Sequence, residues 1–213
     1  MNTKNRGKES KKHLCVAIFG SARIERGNPN WKLVYNLAKR LAESSMDIVT
    51  GGGPGLMEAA SEGHYTGDVG KNLNSIGLQI RLPKVQRDAQ HLDIKREFSR
   101  FSERLDNFMN LSNVIVVAPG GIGTMLELFY TWQLMQIGHI CNIPIILIGD
   151  MWPDLVRWIQ KWSLKNRLLD QKDIDLLYLV DNCKDASVII KKAYKEFLKG
   201  DKNFCLNYQK YKI

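Results

Sequence analysis

Paired cysteines and clustered histidines are missing from this sequence of 213 residues. The four cysteines form no Cys-x-x-Cys pair, and no two of the four histidines stand at a metal-ligand spacing. This scatter is typical of free thiols in a reducing cytoplasm, and it disfavours a structural zinc site. We therefore expect neither a metal ion nor another cofactor. The residues concerned are Cys15, Cys141, Cys183, Cys205, His13, His64, His91 and His139.

Long hydrophobic runs are also missing, because no apolar stretch approaches the ~20 residues that a membrane helix needs. A basic start between Lys4 and Lys12 precedes the apolar residues 14–20, an order that imitates a short signal peptide. The apolar part is barely long enough for that role, so a buried first strand is the favoured interpretation. We expect a cytoplasmic protein without a membrane partner.

The central part of the chain has no net charge, although the whole sequence carries +9. Residues 1–13 have a net charge of +4 and residues 191–213 one of +5, whereas residues 14–190 hold 19 basic and 19 acidic side chains. The basic excess therefore lies at the two ends, where solvated tails are the favoured interpretation. The neutral centre, without aromatic and basic stripes, disfavours nucleic acid as a partner.

Hydrophobic stretches of strand length alternate with helical patterns along the whole centre of the chain. This alternation predicts one α/β domain, a Rossmann-like doubly wound parallel sheet with helices on both faces. We expect this domain over residues 13–200, a disordered basic tail over 1–12 and a basic tail over 201–213. The predicted strands are 14–20, 47–50, 75–80, 113–118, 143–148 and 176–180. The first predicted helix begins after the cap Asn28-Pro29, and the others are 54–62, 99–111, about 123–137, 153–166 and 185–199.

Two glycine clusters occupy the same predicted place, the turn from a strand into a helix. Gly51-Gly52-Gly53-Pro54-Gly55 follows one strand, and Pro119-Gly120-Gly121-Ile122-Gly123-Thr124 follows another. Glycine lets a phosphate approach the backbone, and the free N–H groups of the helix N-terminus then bind the anion. One such loop is equally consistent with a tight turn, but two of them favour a phosphate-bearing ligand.

The two best-known phosphate motifs do not fit these loops. A dinucleotide fingerprint needs Gly-x-Gly-x-x-Gly, but Gly121 and Gly123 are followed by Leu126 where the third glycine belongs. A P-loop needs Gly-Lys-Ser/Thr, whereas Lys71 is followed by Asn72. Binding of NAD and hydrolysis of ATP are therefore both disfavoured.

The run from Pro119 to Glu127 resembles the Pro-Gly-Gly-x-Gly-Thr-x-x-Glu signature of the Lonely-guy family. Residues 51–60 resemble the second glycine motif of that family, and Gly20-Ser21 resembles the end of its first strand. The resemblance covers about residues 14 to 195. Members are often labelled lysine decarboxylases, but no pyridoxal-phosphate lysine motif is visible here.

The resemblance implies a phosphoribohydrolase that converts a nucleoside 5′-monophosphate to free base and ribose 5-phosphate. AMP and N6-substituted, cytokinin-type nucleotides are the implied substrates, and a homodimer is the implied assembly. The implied catalytic pair is Arg104 and Glu127. Ser102, Leu105 and Gln133 depart from the residues that the family usually has at these positions. The implied substrate-binding residues are Gly20, Ser21, Gly51, Gly52, Gly53, Gly120, Gly121, Ile122, Gly123, Thr124 and Gln133.

The chemistry of this pair suits cleavage of a ribosyl C–N bond, which builds positive charge on the sugar. A carboxylate stabilises that charge or activates water, and an arginine offers donors to a phosphate or to the departing base. Structural alternatives stay open at this stage. Thr124-x-x-Glu127 also fits a capping box, and Arg104, four residues after Arg100, also fits a solvated charge. Glu58 is equally a site carboxylate or a first-turn glutamate that the helix dipole favours.

The functional alternative from another class is a non-catalytic binding protein. Molybdenum-cofactor carriers resemble the same family and hold phosphate-bearing ligands without turnover. Such a carrier requires the glycine loops but not the pair Arg104 and Glu127, so this pair is the feature that favours an enzyme.

Overall fold

A computed structural model describes residues 13–70, 72–81 and 87–199. The expected tails over 1–12 and 201–213, and the expected loop around residues 82–83, lie outside the described residues. The strands are β1 (Cys15–Phe19), β2 (Asp47–Thr50), β3 (Ser75–Ile80), β4 (Ile94–Phe98), β5 (Val114–Val117), β6 (Ile145–Ile148) and β7 (Leu177–Val180). The helices are α1 (Pro29–Glu43), α2 (Leu56–Gly67), α3 (Phe101–Leu111), α4 (Ile122–Gln136), α5 (Trp152–Ile159), α6 (Gln171–Ile174) and α7 (Cys183–Leu198), and a π-helical segment, Gln160–Leu164, continues α5.

The strands form one parallel sheet of seven, in the order β4-β3-β2-β1-β5-β6-β7. The order runs outward from β1 to β4, and the chain then returns to pair β5 with the other side of β1. The boundary between β1 and β5 is therefore a topological switch point, where α/β proteins open a crevice at the carboxyl ends of their strands. The prediction of a doubly wound parallel sheet is confirmed.

Two hydrophobic layers cover the two faces of the sheet. Side chains of β1 alternate between them, because successive strand residues point to opposite faces. Val16 and Ile18 pack with buried residues of α1, α2 and α7, whereas Ala17 and Phe19 pack with α3, α4 and α5. Helices therefore lie on both faces, as predicted.

Most predicted elements form close to their predicted ends. Strands β2 and β3 have the predicted bounds, and the Asn28 side chain accepts a hydrogen bond from the Asn30 N–H at the start of α1. The prediction missed α6 and β4, and its helix over 153–166 ends as an α-helix at Ile159. Strand β4 is an edge strand with mostly exposed residues, so it lacks the hydrophobic run by which the inner strands were found.

The expectation of free thiols holds for Cys15 and Cys183. It is wrong for Cys141, which is disulfide-bonded, and Cys205 lies outside the described residues. Within residues 13–70, 72–81 and 87–199, no helix is long and apolar enough to cross a membrane.

Candidate active site

A cavity of about 790 Å³ opens at the carboxyl ends of the central strands. It lies at the switch point, between the loops that follow β1, β2 and β5 and the segment that follows β3. Ten predicted site residues line it: Gly20, Ser21, Gly51, Gly53, Arg104, Gly121, Ile122, Gly123, Thr124 and Glu127. The two glycine loops, far apart in sequence, are therefore walls of one cavity.

Arg104 of α3 and Glu127 of α4 form an ion pair inside this cavity. The Arg104 Nη2 atom donates to the Glu127 Oε1 atom at 2.5 Å, and the two side chains are only 11% and 10% exposed. Arg104 Nε donates to the Leu78 carbonyl oxygen at 2.9 Å, and the guanidinium lies 5.2 Å from the centre of the Phe108 ring. The interpretation of Arg104 as a solvated charge is therefore wrong.

The capping-box interpretation of Glu127 is also wrong. Helix α4 has Gly121 at its N-cap and no side-chain capping bond, and Glu127 is its sixth residue rather than a first-turn residue. The Glu127 carboxylate bonds to Arg104 of a different helix. The spacing from Thr124 to Glu127 fits a capping box, but α4 begins at Ile122, before Thr124, so that box does not form.

Burial sets the protonation of Glu127. Loss of water around the carboxylate raises the pKa of Glu127 from 4.5 to about 7, although the nearby Arg104 charge and hydrogen bond act to lower it. A carboxyl group that titrates near neutral pH exchanges protons readily under physiological conditions, which is a property of general acids and bases.

The loop after β2 holds the Arg104 side chain in place. A Cβ atom at Gly51 would come within 2.7 Å of Met57 Sδ and 3.0 Å of Arg104 Nη2, so only glycine leaves room for the guanidinium. Gly55 has a φ of +71° and packs against the Ser21 carbonyl, which joins this loop to the one after β1. The loops after β1 and β2 are therefore packed against each other beside the pair.

The loop after β5 presents the N-terminus of α4 to the cavity. Gly121 and Gly123 have no other atom within 4 Å of a Cβ built on them, and neither has a positive φ. The fold itself therefore does not require glycine at these two positions, and open space here leaves the backbone N–H groups accessible to an anion. Gly120 differs, because a Cβ there would meet the side chain of Thr124.

Three predicted substrate-binding residues do not line the cavity. The Gly52 N–H donates to Thr50 Oγ1 at 3.1 Å, within the loop after β2. The Gly120 N–H faces Met151 Sδ at 3.4 Å. Gln133 is exposed on α4 and its amide bonds to Gln136 at 3.3 Å, so this chain does not bring it to the other site residues.

Several cavity residues were missed from the sequence. They come from the loop after β1, from α2 and from the stretch that runs from the end of β3 into β4, and they are mainly charged. They include Arg23, Met57, Gln79, Arg81, Arg87, Asp88 and Glu97. The cluster of polar residues after the predicted strand 75–80 was the available signal, but recognising it required strand β4, which the hydrophobic pattern did not reveal.

Glu58 lies in the first turn of α2 and does not line the cavity. Its carboxylate accepts a hydrogen bond from Arg87 Nη2 at 2.5 Å. The interpretation of Glu58 as a first-turn glutamate is therefore confirmed, and its bond to Arg87 holds a residue that lines the cavity. Among the described residues, no three His, Cys, Asp or Glu side chains are grouped so as to hold a metal ion.

The fold and the cavity define a Rossmann-like α/β protein with a buried arginine–glutamate pair between two glycine loops. Residues 57–190 match the family model described as "possible lysine decarboxylase". The matched residues include α4 and both members of the pair. The chain belongs to this family, the Lonely-guy family that the glycine motifs predicted.

Known proteins resemble the chain in sequence or in fold. A probable cytokinin riboside 5′-monophosphate phosphoribohydrolase, LOG4, of Oryza sativa subsp. japonica is 25% identical over 171 residues, which are 78% of this chain and 72% of that protein. The molybdenum cofactor binding protein of Rippkaea orientalis has a TM-score of 0.64 at 19% identity, covering 86% of this chain and 98% of that one. The molybdenum cofactor carrier protein of Chlamydomonas reinhardtii has a TM-score of 0.63 at 18% identity, covering 86% and 99%. Both structural likenesses concern the fold alone.

Proposed function

We propose that this protein hydrolyses the N-glycosidic bond of a purine nucleoside 5′-monophosphate, AMP or an N6-substituted AMP, to free base and ribose 5-phosphate. The observation that carries the proposal is the buried pair of Arg104 and Glu127 in a cavity walled by two glycine loops. The activity for which the rice relative is named supports the same reaction class.

The start of α4 is the proposed phosphate site. Backbone N–H groups of Gly121 to Thr124 are unpaired within a helix at its N-terminus, where the helix dipole also favours an anion. Glu127 lies five residues after Ile122, which is about 7.5 Å along the helix axis. Helix α4 therefore binds the phosphate through its backbone N–H groups and contacts the ribose through the Glu127 side chain.

The proposed step breaks the bond between C1′ of ribose and a ring nitrogen of the base. The bonding electrons leave with the base, which gains a proton, while a water oxygen adds to C1′ and loses a proton. Ionised Glu127 stabilises the positive charge on the ribose and accepts the proton of the water. Arg104 holds Glu127 through its Nη2 atom. Its Nη1 atom bonds to no described residue, and in the proposed step it faces the negative charge that develops on the base.

A non-catalytic carrier is the alternative on the same scaffold. The two structural neighbours bind or carry molybdenum cofactor according to their names, but a carrier has no use for a buried carboxylate with a pKa of about 7. Lysine decarboxylation is less suited to the site, since no lysine is present among the described residues that line the cavity. Pyridoxal-phosphate chemistry requires a lysine for its Schiff base.

We also propose a homodimer that forms through α4. Leu128 and Trp132 of this helix are buried in the core, whereas its outer face carries an exposed, mostly apolar stripe. A row of exposed apolar side chains is typical of an interaction surface, and a second copy of the chain is the proposed cover. Gln133 lies in the stripe, within the surface that the proposed dimer covers. The stripe consists of Ile122, Leu126, Phe129 and Ile137.

The proposed hydrolysis is tested by incubating the purified protein with AMP, GMP, CMP, UMP and N6-substituted AMP. Chromatography of the products then detects any free base. We expect free base from AMP or its N6-substituted forms, together with an equal amount of ribose 5-phosphate. Tight binding of a nucleotide without any release of base would contradict the hydrolase and favour the carrier.

A further inference from the structure

Gln79, one residue before the end of β3, lines the cavity, and two hydrogen bonds hold its side-chain amide. Its Nε2 atom donates to two oxygens, the Gly52 carbonyl at 3.1 Å and Asp88 Oδ1 at 2.7 Å. A side-chain amide has two N–H donors, and both are used here. The Oε1 atom has no partner among the described residues, and Gln79 lines the cavity. The acceptor oxygen is therefore the atom that remains for a ligand.

Asp88 and Gly52 prevent the Gln79 amide from turning over. A turned amide would bring its oxygen against the Gly52 carbonyl and the Asp88 carboxylate, three acceptors without a proton between them. Asp88 is held in turn by Lys95, whose Nζ lies 3.0 Å from Oδ2, and the Ala89 N–H donates to the same Gly52 carbonyl at 2.9 Å. Hydrogen bonds from Lys95 and Gln79 lower the pKa of Asp88, so it stays charged.

The position of Gln79 relative to the proposed phosphate site indicates what it meets. Strand β3 is third from β5 in the sheet, so its end lies about 14 Å from the loop that opens α4. Arg104 and Glu127 lie between these ends, since Arg104 bonds both to Glu127 and to the carbonyl of Leu78, the neighbour of Gln79. A nucleotide with its phosphate at α4 and its ribose at Glu127 extends its base toward β3.

We propose that Gln79 determines the base specificity of the site by accepting a hydrogen bond from the 6-amino group of a purine. The ligand class is the 6-aminopurine nucleoside 5′-monophosphates, including those with a single N6 substituent, because one N–H remains on the nitrogen. An N6,N6-disubstituted base has no such N–H and leaves the acceptor unpaired. This inference rests on the proposed function for the placement of the nucleotide.

The first test measures the binding of three nucleotides to the wild-type protein by calorimetry. AMP and N6-methyl-AMP are expected to bind within a few-fold of each other, and N6,N6-dimethyl-AMP about ten- to a hundred-fold more weakly. Equal affinity for AMP and N6,N6-dimethyl-AMP would overturn the inference without any mutation. Binding in this order without release of base would overturn the hydrolysis and leave the base specificity standing.

Two variants then test the residue itself. Gln79→Met keeps the size of the side chain without the acceptor, so the ratio of the AMP and N6,N6-dimethyl-AMP affinities should fall to near one. Gln160→Met, at an exposed position outside the cavity, is the matched control and should keep the wild-type ratio. A wild-type ratio in a folded Gln79→Met protein, checked by its thermal unfolding transition, would overturn the assignment.

Asp88 tests whether the orientation of the amide matters. Asp88→Ala removes one of the two oxygens that hold Gln79 Nε2, so the amide can turn and the AMP preference should fall several-fold. Asp88→Asn retains an oxygen acceptor and should restore most of the preference. An unchanged preference in Asp88→Ala would contradict the positioning role of Asp88. A loss of preference in both variants would also contradict that role, because the charge of Asp88 rather than its acceptor oxygen would then be needed.

Discussion

The guanidinium of Arg104 and the carboxylate of Glu127 meet at 2.5 Å, although 23 residues separate them in the chain and they belong to different helices. Each side chain is about nine-tenths buried. Burial of a charge is costly unless an opposite charge compensates it, so a fold that buries this pair at a cavity places it there at an energetic cost. Such placement is typical of a functional site rather than of a stabilising surface bridge.

Replacement of Glu127 by glutamine separates catalysis from binding. Glu127→Gln removes the negative charge with little change in shape, so stabilisation of a cationic ribosyl transition state is lost. We expect turnover to fall at least ~100-fold, whereas AMP binding stays within about tenfold of wild type. Calorimetric titration and a free-base assay on the same preparation measure both quantities.

Glu62→Gln is the matched control, because Glu62 bonds to Arg26 on the surface and does not line the cavity. It should leave turnover unchanged. Full turnover in Glu127→Gln would contradict the catalytic role and favour the carrier.

The pH dependence of both activity and stability should report Glu127. In the proposed mechanism ionised Glu127 is the active form, so kcat should rise with pH until it levels off above about 7. This dependence should vanish from the residual activity of Glu127→Gln. Folding raises the pKa above its ordinary 4.5, so the folded state binds the proton more tightly than the unfolded state does. The stability that this provides is present below pH 4.5 and is lost as the pH rises to about 7.

The free energy of unfolding is measured by urea titration between pH 4 and pH 8, in steps of about one pH unit. Relative to Glu127→Gln, the wild type should lose stability on the order of 3 kcal/mol across this range. A difference that stays constant with pH would show that burial does not shift this carboxyl group.

Two glycines of the α4 loop should respond oppositely to alanine. Gly123→Ala meets no atom in the fold and adds a helix-favouring residue, so stability should be equal or up to about 1 kcal/mol higher. The new methyl group occupies space that the phosphate needs, and AMP affinity should fall roughly tenfold or more. Gly120→Ala meets the Thr124 side chain and should destabilise the fold by about 1–3 kcal/mol. Unchanged AMP affinity in Gly123→Ala would place the phosphate elsewhere.

The 5′-phosphate of the substrate should strongly increase the rate. If the α4 N-terminus binds this group, its binding energy helps to position the ribose at Glu127. We expect kcat/KM for AMP to exceed that for adenosine by about a hundred-fold or more. Equal values for AMP and adenosine would show that these loops do not bind phosphate.

A charge on the outer face of α4 should disrupt the proposed dimer. Phe129 is 41% exposed in the apolar stripe, and Phe129→Glu would bury a carboxylate between two copies. Light scattering coupled to size-exclusion chromatography should show a dimer for the wild type and a monomer for this variant. Val188→Glu, on α7 and 65% exposed, is the control and should stay dimeric. A wild-type protein that is monomeric at all concentrations would contradict the proposal.

The sequence by itself determined the fold class and the glycine walls of the cavity. Inner strands such as β2 are short apolar runs because both of their faces are buried, and the glycine motifs are contiguous because each is one turn. The motif from Pro119 to Glu127 contains Glu127 itself, and the family that this motif resembles implied Arg104 as its partner. These features depend on residues close together in the chain, so a local pattern is sufficient to find them.

Only the tertiary structure decided how those residues act. The pKa of Glu127 depends on how much water α3 and α4 exclude, and no spacing in the sequence encodes that exclusion. Gln79 and Asp88 meet at the cavity because β4 pairs with β3. Strand β4 is a polar edge strand without a hydrophobic run. Gln133 was predicted to bind substrate from its place in the motif, yet the turn of α4 directs it away from its own cavity and toward solvent. Burial and the direction of side chains arise only when distant segments pack together.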